Sequence, residues 1–258
     1  MRLLFIRHGD PDYVNDTLTE KGHREAMLLA GTADRLNLGT CFVSPLGRAR
    51  DTASYSLEKT GKEGTVLNWL QEFPARVDLN QSEELQKAYA DCKKFNGKYI
   101  PRIPWDVLPS YWTSHPEYIH REEWKNSEIA RCSDMVEVYD SVTKKFDDFL
   151  AEHGYVRDGF CYRAEQPNND TIVFFCHFGL ECVLLSHLLN ISPMLLWHGF
   201  CAAPASITTV YTEERREGTA YFRTAAFGDT SHLYAAGMEP SDHARFCQCY
   251  KNRDERHD

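Results

Sequence analysis

The sequence lacks a long apolar run, and it lacks an excess of positive charge. No stretch approaches the roughly 18–20 apolar residues that cross a bilayer, which argues against an integral membrane protein. The apolar stretch near the N-terminus is too short for a signal peptide, so we expect a cytoplasmic protein that does not bind membranes. The net charge of −9 argues against nonspecific nucleic-acid binding, which needs positive charge, but allows a local basic pocket for a small anion.

Regularly spaced cysteine pairs are also absent. The chain contains nine cysteines. An odd number without regular spacing, in a chain without a recognisable export signal, is typical of reduced thiols in the cytoplasm. Cys247 and Cys249 have no second pair at zinc-finger spacing, and no Asp or His cluster has the spacing of metal ligands. The sequence therefore predicts neither a metal site nor a cofactor.

The composition is that of an ordinary globular protein, with 258 residues of which 42% are hydrophobic and 26% are charged. This length suits one large domain or two small ones. The order of segments predicts a single α/β domain over residues 1–235, with a helical and irregular cap inserted at about 74–128. The prolines at 101, 104, 109 and 116 prevent one long helix there. Residues 236–258 form a polar tail that we expect to be loosely held.

Strands and helices alternate outside the insertion. Short apolar runs predict buried strands, and apolar positions at helical spacing predict helices. The predicted strands cover residues 2–7, 40–43, 65–69 and 171–176, followed by a hairpin of residues 206–211 and 220–226. The predicted helices cover residues 19–36, 44–59, 82–95, 129–153 and 180–189. This alternation indicates a three-layer α/β sandwich, with a mostly parallel central sheet flanked by helices.

Two histidines each follow a predicted strand, and two arginines accompany them. His8 follows the first strand beside Arg7, and His177 follows the strand at 171–176. Arg48 lies early in the helix that begins at about residue 44, with Ser44 as its expected N-cap. Ligands of open α/β sheets bind beyond the carboxyl ends of the strands, and arginines and helix N-termini favour anions. These four side chains therefore predict a phosphate site.

The same set of residues suits phosphoryl transfer. A neutral imidazole attacks phosphorus directly, and a second, protonated imidazole stabilises the charge on the equatorial oxygens. The reaction then needs an acid for the leaving oxygen, since positioning and electrostatics supply most of the catalysis. Glu72 follows the third predicted strand and is the best-placed carboxyl group. Glu83, Glu84 and Asp10 are the alternatives.

Six segments, in chain order, carry a recognisable pattern. They are an Arg-His-Gly tripeptide at 7–9, a Leu-Thr-x-x-Gly helix start at 18–22, a Ser-Pro-x-x-Arg-Ala-x-x-Thr-Ala segment at 44–53, an acid-bearing segment at 69–73, a second histidine segment at 176–179 and a late strand at 204–207. Together they resemble the histidine phosphatase superfamily, also called the phosphoglycerate mutase-like family. The resemblance covers residues 1–73 and about 129–235 and leaves out the insertion and the tail.

The resemblance implies a fold, an activity and a role for each site residue. It implies a phosphoglycerate mutase-like fold and a metal-independent phosphatase acting on a small phosphorylated metabolite. His8 would be the nucleophile that becomes phosphohistidine, and Arg7, Arg48 and His177 would bind the phosphoryl group. Glu72 would donate a proton to the leaving group and then activate water. No cofactor would be required.

Two other functions compete with the phosphatase. A mutase would use the same residues, but the Ser or Thr and the Trp-Asn of the mutase motif are absent after Gly9. A catalytically inactive module that binds phosphorylated ligands is the third reading, and the intact set of five residues argues against it. Asn15 only loosely matches the Asn that the family carries beyond its nucleophile, so it receives no role. A homodimer is compatible with the sequence, which specifies neither the substrate nor the oligomeric state.

Overall fold

The structure is a computed structural model that describes residues 1–90, 92–243, 245 and 249–251. The described residues form two compact units. The first unit contains residues 1–72 and 147–181 and the described residues from 201 onward. The second contains residues 73–146 and 182–200. The second unit thus includes the insertion expected at 74–128, and the cap role of that insertion stays a prediction.

Strands and helices alternate along the chain, as an α/β fold requires. The strands are β1 (Arg2–Arg7), β2 (Pro11–Asp12), β3 (Thr17–Leu18), β4 (Thr40–Val43), β5 (Gly64–Val66), β6 (Lys94–Phe95), β7 (Lys98–Tyr99), β8 (Tyr155–Asp158), β9 (Cys161–Ala164), β10 (Thr171–Cys176), β11 (Ile207–Arg216) and β12 (Thr219–Asp229). The helices are α1 (Glu20–Ala30), α2 (Ala33–Leu36), α3 (Gly47–Thr60), α4 (Glu83–Ala88), α5 (Pro109–Trp112), α6 (Glu128–Arg131), α7 (Met135–Glu152), α8 (Phe178–Leu189), α9 (Pro193–Gly199) and α10 (Ser231–Ala235).

The first unit is built on an eight-stranded mixed sheet with the order β5-β4-β10-β1-β11-β12-β9-β8. The four strands from β5 to β1 pair in parallel, which is the part of the sheet that the sequence pattern indicates. The strands from β11 to β8 are antiparallel to their neighbours. The predicted α/β sheet flanked by helices is confirmed, and its antiparallel half makes it mixed.

Both faces of the parallel strands are covered, which explains why β1 and β10 are apolar at almost every position. One face packs against α1, α2 and α3 in a core of Leu4, Ile6, Val43, Val173, Phe175, Ile207, Leu29, Ala33 and Ala53. The other face carries aromatic rings. Phe174 stacks on Phe5 with 5.3 Å between ring centroids, and Phe149 of α7 lies edge-on to Phe42 at 4.8 Å.

Three predicted strands coincide with β1, β4 and β10, whereas helix boundaries differ more. The segment predicted as one helix at 19–36 is two helices, because α1 ends at Ala30 and the chain turns at Gly31 before α2. The helix predicted at 129–153 is also divided, into α6 and α7. The helix predicted from residue 44 begins at Gly47, so the expectation that Ser44 is its N-cap is wrong.

Other elements are shorter than predicted or were not predicted. The helix predicted at 82–95 ends at Ala88 and is followed by the β6–β7 hairpin. The third predicted strand, 65–69, is shorter than expected, because Asn68–Leu70 forms a 3₁₀ helix after β5. The β8–β9 hairpin and helix α9 were not predicted.

The second unit is mostly short helices around its own aromatic core. Tyr118 and Trp124 are fully buried there, and Trp124 lies edge-on to Tyr139 at 4.9 Å. Trp197 of α9 contacts Trp105, with ring centroids 5.3 Å apart. Core packing is thus the role of most of these aromatic side chains. No described helix combines the length and the apolar character that crossing a bilayer requires.

Candidate active site

The main chain at His8 is fixed from both sides. His8 directly follows β1, and its backbone N–H donates to the carbonyl oxygen of Cys176 at 3.1 Å. Its own carbonyl oxygen accepts from the N–H of Ala205 at 3.0 Å. The imidazole is only 2% exposed. The sheet therefore sets the position of this ring before any ligand binds.

The hydrogen bond of the His8 ring defines its tautomer. Nδ1 lies 2.7 Å from the carbonyl oxygen of Gly9, and because a carbonyl oxygen only accepts, Nδ1 carries the proton. Burial holds the pKa of His8 well below its ordinary value, and a proton on His177 and the charges of Arg7 and Arg48 act in the same direction. The neutral ring thus keeps an unprotonated Nε2, which is the lone pair that a nucleophile needs.

His177 directly follows β10, the parallel neighbour of β1, and its ring centroid lies 5.1 Å from that of His8. Ser44 shares a hydrogen bond of 2.7 Å with Nε2 of His177. Nδ1 is buried and has no hydrogen-bond partner among the described residues. Burial lowers the pKa of His177 well below its ordinary value, and the positive charges of Arg48 and Arg7 lower it further. The ring is therefore neutral until an anion binds beside it.

Arg7, the last residue of β1, is 5% exposed and is held on two sides. Its Nη1 donates to the carbonyl oxygen of Ala202 at 2.6 Å, and its guanidinium lies 5.7 Å from the ring centroid of Phe178. Its Nε is buried and has no hydrogen-bond partner among the described residues. A bound phosphoryl oxygen would give this donor a partner.

Arg48 lies in the first turn of α3 and is 8% exposed. Its Nη1 donates to Oδ1 of Asp16 at 2.6 Å, and its guanidinium lies 5.4 Å from the ring centroid of Tyr13. The other oxygen of Asp16 accepts from the N–H of Gly47 at 2.7 Å. One carboxylate thus ties Arg48 to the start of its own helix, and the buried Nε of Arg48 has no partner among the described residues.

Glu72 lies after β5 and reaches the start of α8. Its Oε1 accepts from the N–H of Leu180 at 2.9 Å, and its Oε2 accepts from the N–H of Gly179 at 3.4 Å. Both donors belong to the first turn of the helix that begins immediately after His177. The positive end of a helix favours a carboxylate in this position. Glu72 is therefore held at the N-terminus of α8, the helix that follows His177.

Two further glutamates lie in the first unit with almost no exposed surface. Burial raises the pKa of Glu25 on α1 to about 7, and burial also raises the pKa of Glu181 on α8 to about 7. The positive charge of Arg7 partly opposes the shift at Glu181. These carboxyl groups therefore ionise near neutral pH, whereas a solvated glutamate ionises near pH 4.

The loop that follows His8 approaches α1 without an intervening side chain. A Cβ placed on Gly9 would lie 2.7 Å from the carbonyl oxygen of Gly22, and a Cβ on Gly22 would lie 2.2 Å from that of Asp10. Real Cβ atoms essentially never approach this closely. Glycine at both positions is therefore required for the backbone contact.

The structure places four of the five predicted residues at the ends of β1 and β10 or on α3. His8 and His177 are in ring contact, Arg7 and Arg48 act electrostatically on both rings, and Glu72 binds the helix that follows His177. The alternative acids belong to the second unit or have other partners. Glu83 and Glu84 are in α4 of the second unit, where Tyr111 donates to Glu84 at 2.7 Å, and Asp10 accepts from Thr19, Ser241 and His243.

The sequence analysis did not predict several residues that hydrogen-bond to the predicted site residues or to the loop after His8. Ser44 was interpreted as a helix cap, and Asp16 and Glu25 received no role. Asp16 has a φ of 50°, and left-handed backbone at a non-glycine residue is a signal of a constrained turn, but it is visible only in the structure. Ser241 and His243 belong to the tail that was expected to be loose. Among the described residues, no group of three or more His, Cys, Asp or Glu side chains is placed to hold a metal ion.

Comparisons with known proteins agree with the sequence pattern. Residues 3–101 match the family model described as histidine phosphatase superfamily (branch 1). This confirms the predicted resemblance over these residues and supports an enzyme of the phosphatase class. No curated protein sequence shows a significant match to the chain.

Three solved structures illustrate the similarity in fold. A phosphoserine phosphatase from Entamoeba histolytica, in complex with 3-phosphoglyceric acid, is 19% identical, with coverage of 90% of this chain and 98% of its own and a TM-score of 0.52. A mycobacterial glucosyl-3-phosphoglycerate phosphatase with VO3 is 19% identical, with coverage of 89% and 99% and a TM-score of 0.53. A protein described as mycobacterial hydrolase 2 is 20% identical, with coverage of 92% and 96% and a TM-score of 0.54. At identities of 19–20%, this structural similarity shows a shared fold and nothing beyond it.

Proposed function

We propose, from the match of residues 3–101 to the histidine phosphatase superfamily, that this chain is a metal-independent phosphatase of small phosphate monoesters. The observation that carries the proposal is the state of His8. Its Nδ1 donates to Gly9 and burial keeps the ring neutral, so that Nε2 has a free lone pair beside two arginines and His177. An imidazole in this state is a nucleophile, and the arginines attract the phosphate that it attacks.

The reaction proceeds in two displacements. In the first, Nε2 of His8 attacks phosphorus, the ester P–O bond breaks, and protonated Glu72 gives its proton to the leaving oxygen, which departs as an alcohol. In the second, the Glu72 carboxylate takes a proton from water, whose oxygen attacks phosphorus as the P–N bond breaks. Inorganic phosphate leaves and His8 returns to its starting state. Arg7, Arg48 and His177 hold the phosphoryl oxygens throughout.

Charge considerations explain why this site can act without a metal ion. Arg7 and Arg48 together offset a phosphate dianion, and each has a buried Nε that a phosphoryl oxygen would engage. The dianion would raise the pKa of His177, because an opposite charge favours the protonated ring. His177 therefore takes up a proton when phosphate binds and adds a third positive charge at the phosphoryl group.

The substrate is a small phosphorylated metabolite. The panel that tests this begins with phosphoserine, 3-phosphoglycerate and glucosyl-3-phosphoglycerate, because these compounds appear in the names and complexes of proteins with the same fold. Phosphate release is measured for each compound in the presence of EDTA. Product analysis distinguishes hydrolysis from a mutase reaction, which would move the phosphoryl group and release no phosphate.

The decisive measurement is the phosphate bound to the protein after enzyme mixed with substrate has been denatured in base. We expect one phosphoryl group per chain, labile to acid and stable to base as a phosphohistidine is, on the peptide that contains His8. Phosphate release that stops in EDTA and returns with a single divalent ion would overturn the metal-independent reaction. Binding of phosphate without turnover of any panel compound would favour the inactive binding module.

A further inference from the structure

Asp10, two residues after His8, connects the loop to distant parts of the chain. Its Oδ2 accepts from the hydroxyl of Thr19 at 2.6 Å, and Thr19 is the N-cap of α1. Its Oδ1 accepts from the hydroxyl of Ser241 and from Nδ1 of His243, the latter at 2.7 Å. These bonds hold the pKa of the Asp10 carboxyl well below its usual range, against the opposing effect of burial. Asp10 is therefore an ionised anchor for the segment 240–243.

Glu25 joins the same two segments through their main chains. Its Oε2 accepts from the N–H of Asp10 at 2.7 Å, and its Oε1 accepts from the N–H of Ser241 at 3.1 Å. The side chain is fully buried, with a relative exposure of 0%. Lys21, one turn earlier on α1, donates to the carbonyl oxygen of Pro240 at 3.1 Å. The C-terminal segment thus meets α1 and the His8 loop through Pro240, Ser241 and His243.

We infer that Asp10 and Glu25 are positioning residues that, with Ser241 and His243, clamp the loop carrying the nucleophile. This loop clamp links residues that are more than 200 positions apart, since Ser241 and Asp10 are separated by 231 residues and Ser241 and Glu25 by 216. Their hydrogen bonds described above reach Asp10, two residues after His8. They act on His8 through the backbone of Gly9 and Asp10.

The clamp fits the way in which the His8 backbone is fixed. β10 and Ala205 hold the N–H and the carbonyl oxygen of His8, and Thr52 accepts from the N–H of Gly9 at 2.9 Å. The next N–H, that of Asp10, is held by Glu25. Releasing it frees the chain immediately after the nucleophile, and a displacement near 1 Å in a catalytic group costs up to about 10²-fold in rate. This consequence for rate rests on the proposed phosphatase function.

The charges around Glu25 make the clamp sensitive to pH. Glu25 faces the carboxylate of Asp10, which raises its pKa, and the ammonium of Lys21, which lowers it, while burial is the largest cause of its shift to about 7. His243 faces Asp10 and not Glu25 in the described contacts. Protonation of Glu25 turns one of its two acceptor oxygens into a hydroxyl. The hydrogen bonds of the clamp therefore change as Glu25 gains or loses its proton near pH 7.

The variant that tests the clamp is Glu25→Gln, which keeps the shape of the side chain and replaces one acceptor oxygen by a donor. Hydrogen exchange of the amides in peptides covering residues 9–17 and 238–243 is compared with that of the native chain. We expect faster exchange in both segments of Glu25→Gln, and faster exchange in both with Ser241→Ala. Glu20→Gln on the exposed face of α1 and Asp242→Asn, whose side chain pairs with Arg245, are the controls. Exchange unchanged in either segment of Glu25→Gln would overturn the clamp.

Single-turnover phosphorylation of His8 separates positioning from loss of folded protein. A variant that only unfolds part of the sample lowers the amplitude and leaves the rate constant unchanged. We expect Glu25→Gln and Ser241→Ala to lower the rate constant about tenfold at full amplitude, with the affinity for inorganic phosphate changed less than about threefold. Native rate constants in both variants would overturn the positioning role. If the native chain phosphorylates no His8, the phosphatase proposal fails, and hydrogen exchange still decides whether the clamp exists.

Discussion

Oε1 of Glu72 accepts a hydrogen bond of 2.9 Å from the backbone N–H of Leu180, three residues beyond His177. This contact joins the chain after β5 to the first turn of α8. Glu72 and His177 are therefore positioned by one element, although 105 residues separate them in the sequence. The proposed acid and one of the proposed phosphate ligands share a support.

Glu72→Gln separates chemistry from binding. The amide keeps the shape of the side chain and one acceptor, and it cannot give a proton to a leaving alkoxide. General acid catalysis supplies about 10²–10⁴-fold, so hydrolysis of an alkyl phosphate should slow by that amount. The first step with p-nitrophenyl phosphate should slow far less, because nitrophenolate leaves without a proton. Single-turnover phosphorylation with both substrates makes the comparison, and equal slowing of both would show that Glu72 is not the acid.

His8→Ala should abolish turnover and leave the fold intact. Among the described residues, the ring hydrogen-bonds to the adjacent Gly9, while the backbone hydrogen bonds to β10 and Ala205 remain in the variant. Far-ultraviolet circular dichroism and the unfolding midpoint check the fold, and phosphate release checks the activity. His23→Ala is a suitable comparison, since His23 bonds to Tyr55 on the α1–α3 contact. Turnover by His8→Ala within tenfold of the native rate would contradict the nucleophile assignment.

Asp16→Asn should weaken phosphate binding through Arg48. The charge that orients Nη1 is lost, and one of the two bonds to Arg48 and Gly47 is lost with it. Because Asp16 is nearly half exposed, solvent screens this pair, and we expect a loss in phosphate affinity of about three- to tenfold.

Arg48→Ala should cost about 3 kcal/mol or more of transition-state stabilisation. Calorimetric titration with phosphate measures the affinities, with Asp34→Asn as an exposed control, and an unchanged affinity in both variants would remove Arg48 from the site.

Glu181→Gln should change how stability depends on pH. The pKa of Glu181 is raised to about 7 in the folded chain, so between about pH 4.5 and 7 the native state holds a proton that the unfolded state has lost. The free energy of unfolding therefore falls as the pH rises through this window, by up to about 3 kcal/mol for one carboxyl group. Replacing the Glu181 carboxyl by an amide removes this part of the pH dependence of the free energy of unfolding.

Denaturant unfolding at pH 5 and pH 8 measures the effect. The native chain should lose more stability between the two pH values than Glu181→Gln does, and the remaining slope should include the contribution of Glu25, whose pKa is raised in the same direction. Glu20→Gln, on an exposed residue, should keep the native slope. An identical slope in Glu181→Gln and the native chain would show that Glu181 ionises like a solvated carboxyl group.

Local patterns predict the parallel half of the sheet because its strands are buried on both faces. Each of β1, β4 and β10 is a short, mostly apolar run in which every residue after the first is buried, so pattern and boundary agree. Arg7, His8 and His177 follow from the same property, since they are the first polar residues at the ends of such runs.

Pairings between distant segments explain what the sequence did not predict. Ser44 has the local pattern of a helix cap. Its hydrogen bond to His177 depends on the pairing of β10 with β4, which the local sequence does not indicate. Ser241 and His243 lie in a polar segment without periodicity, and their roles depend on Asp10 and Glu25 being near. The antiparallel half of the sheet likewise depends on the β8–β9 hairpin, whose exposed and alternating residues carry a weak signal.

The contact between Gly9 and Gly22 limits how this enzyme can be altered. Since neither position has room for a methyl group, the spacing between the loop after His8 and α1 is set by backbone alone and cannot be adjusted by side-chain size. Directed evolution toward a new substrate should therefore leave both glycines untouched in every surviving variant. Changes in preference must come from residues that face the substrate beyond its phosphate, and a library that randomises Gly9 or Gly22 should return only glycine there.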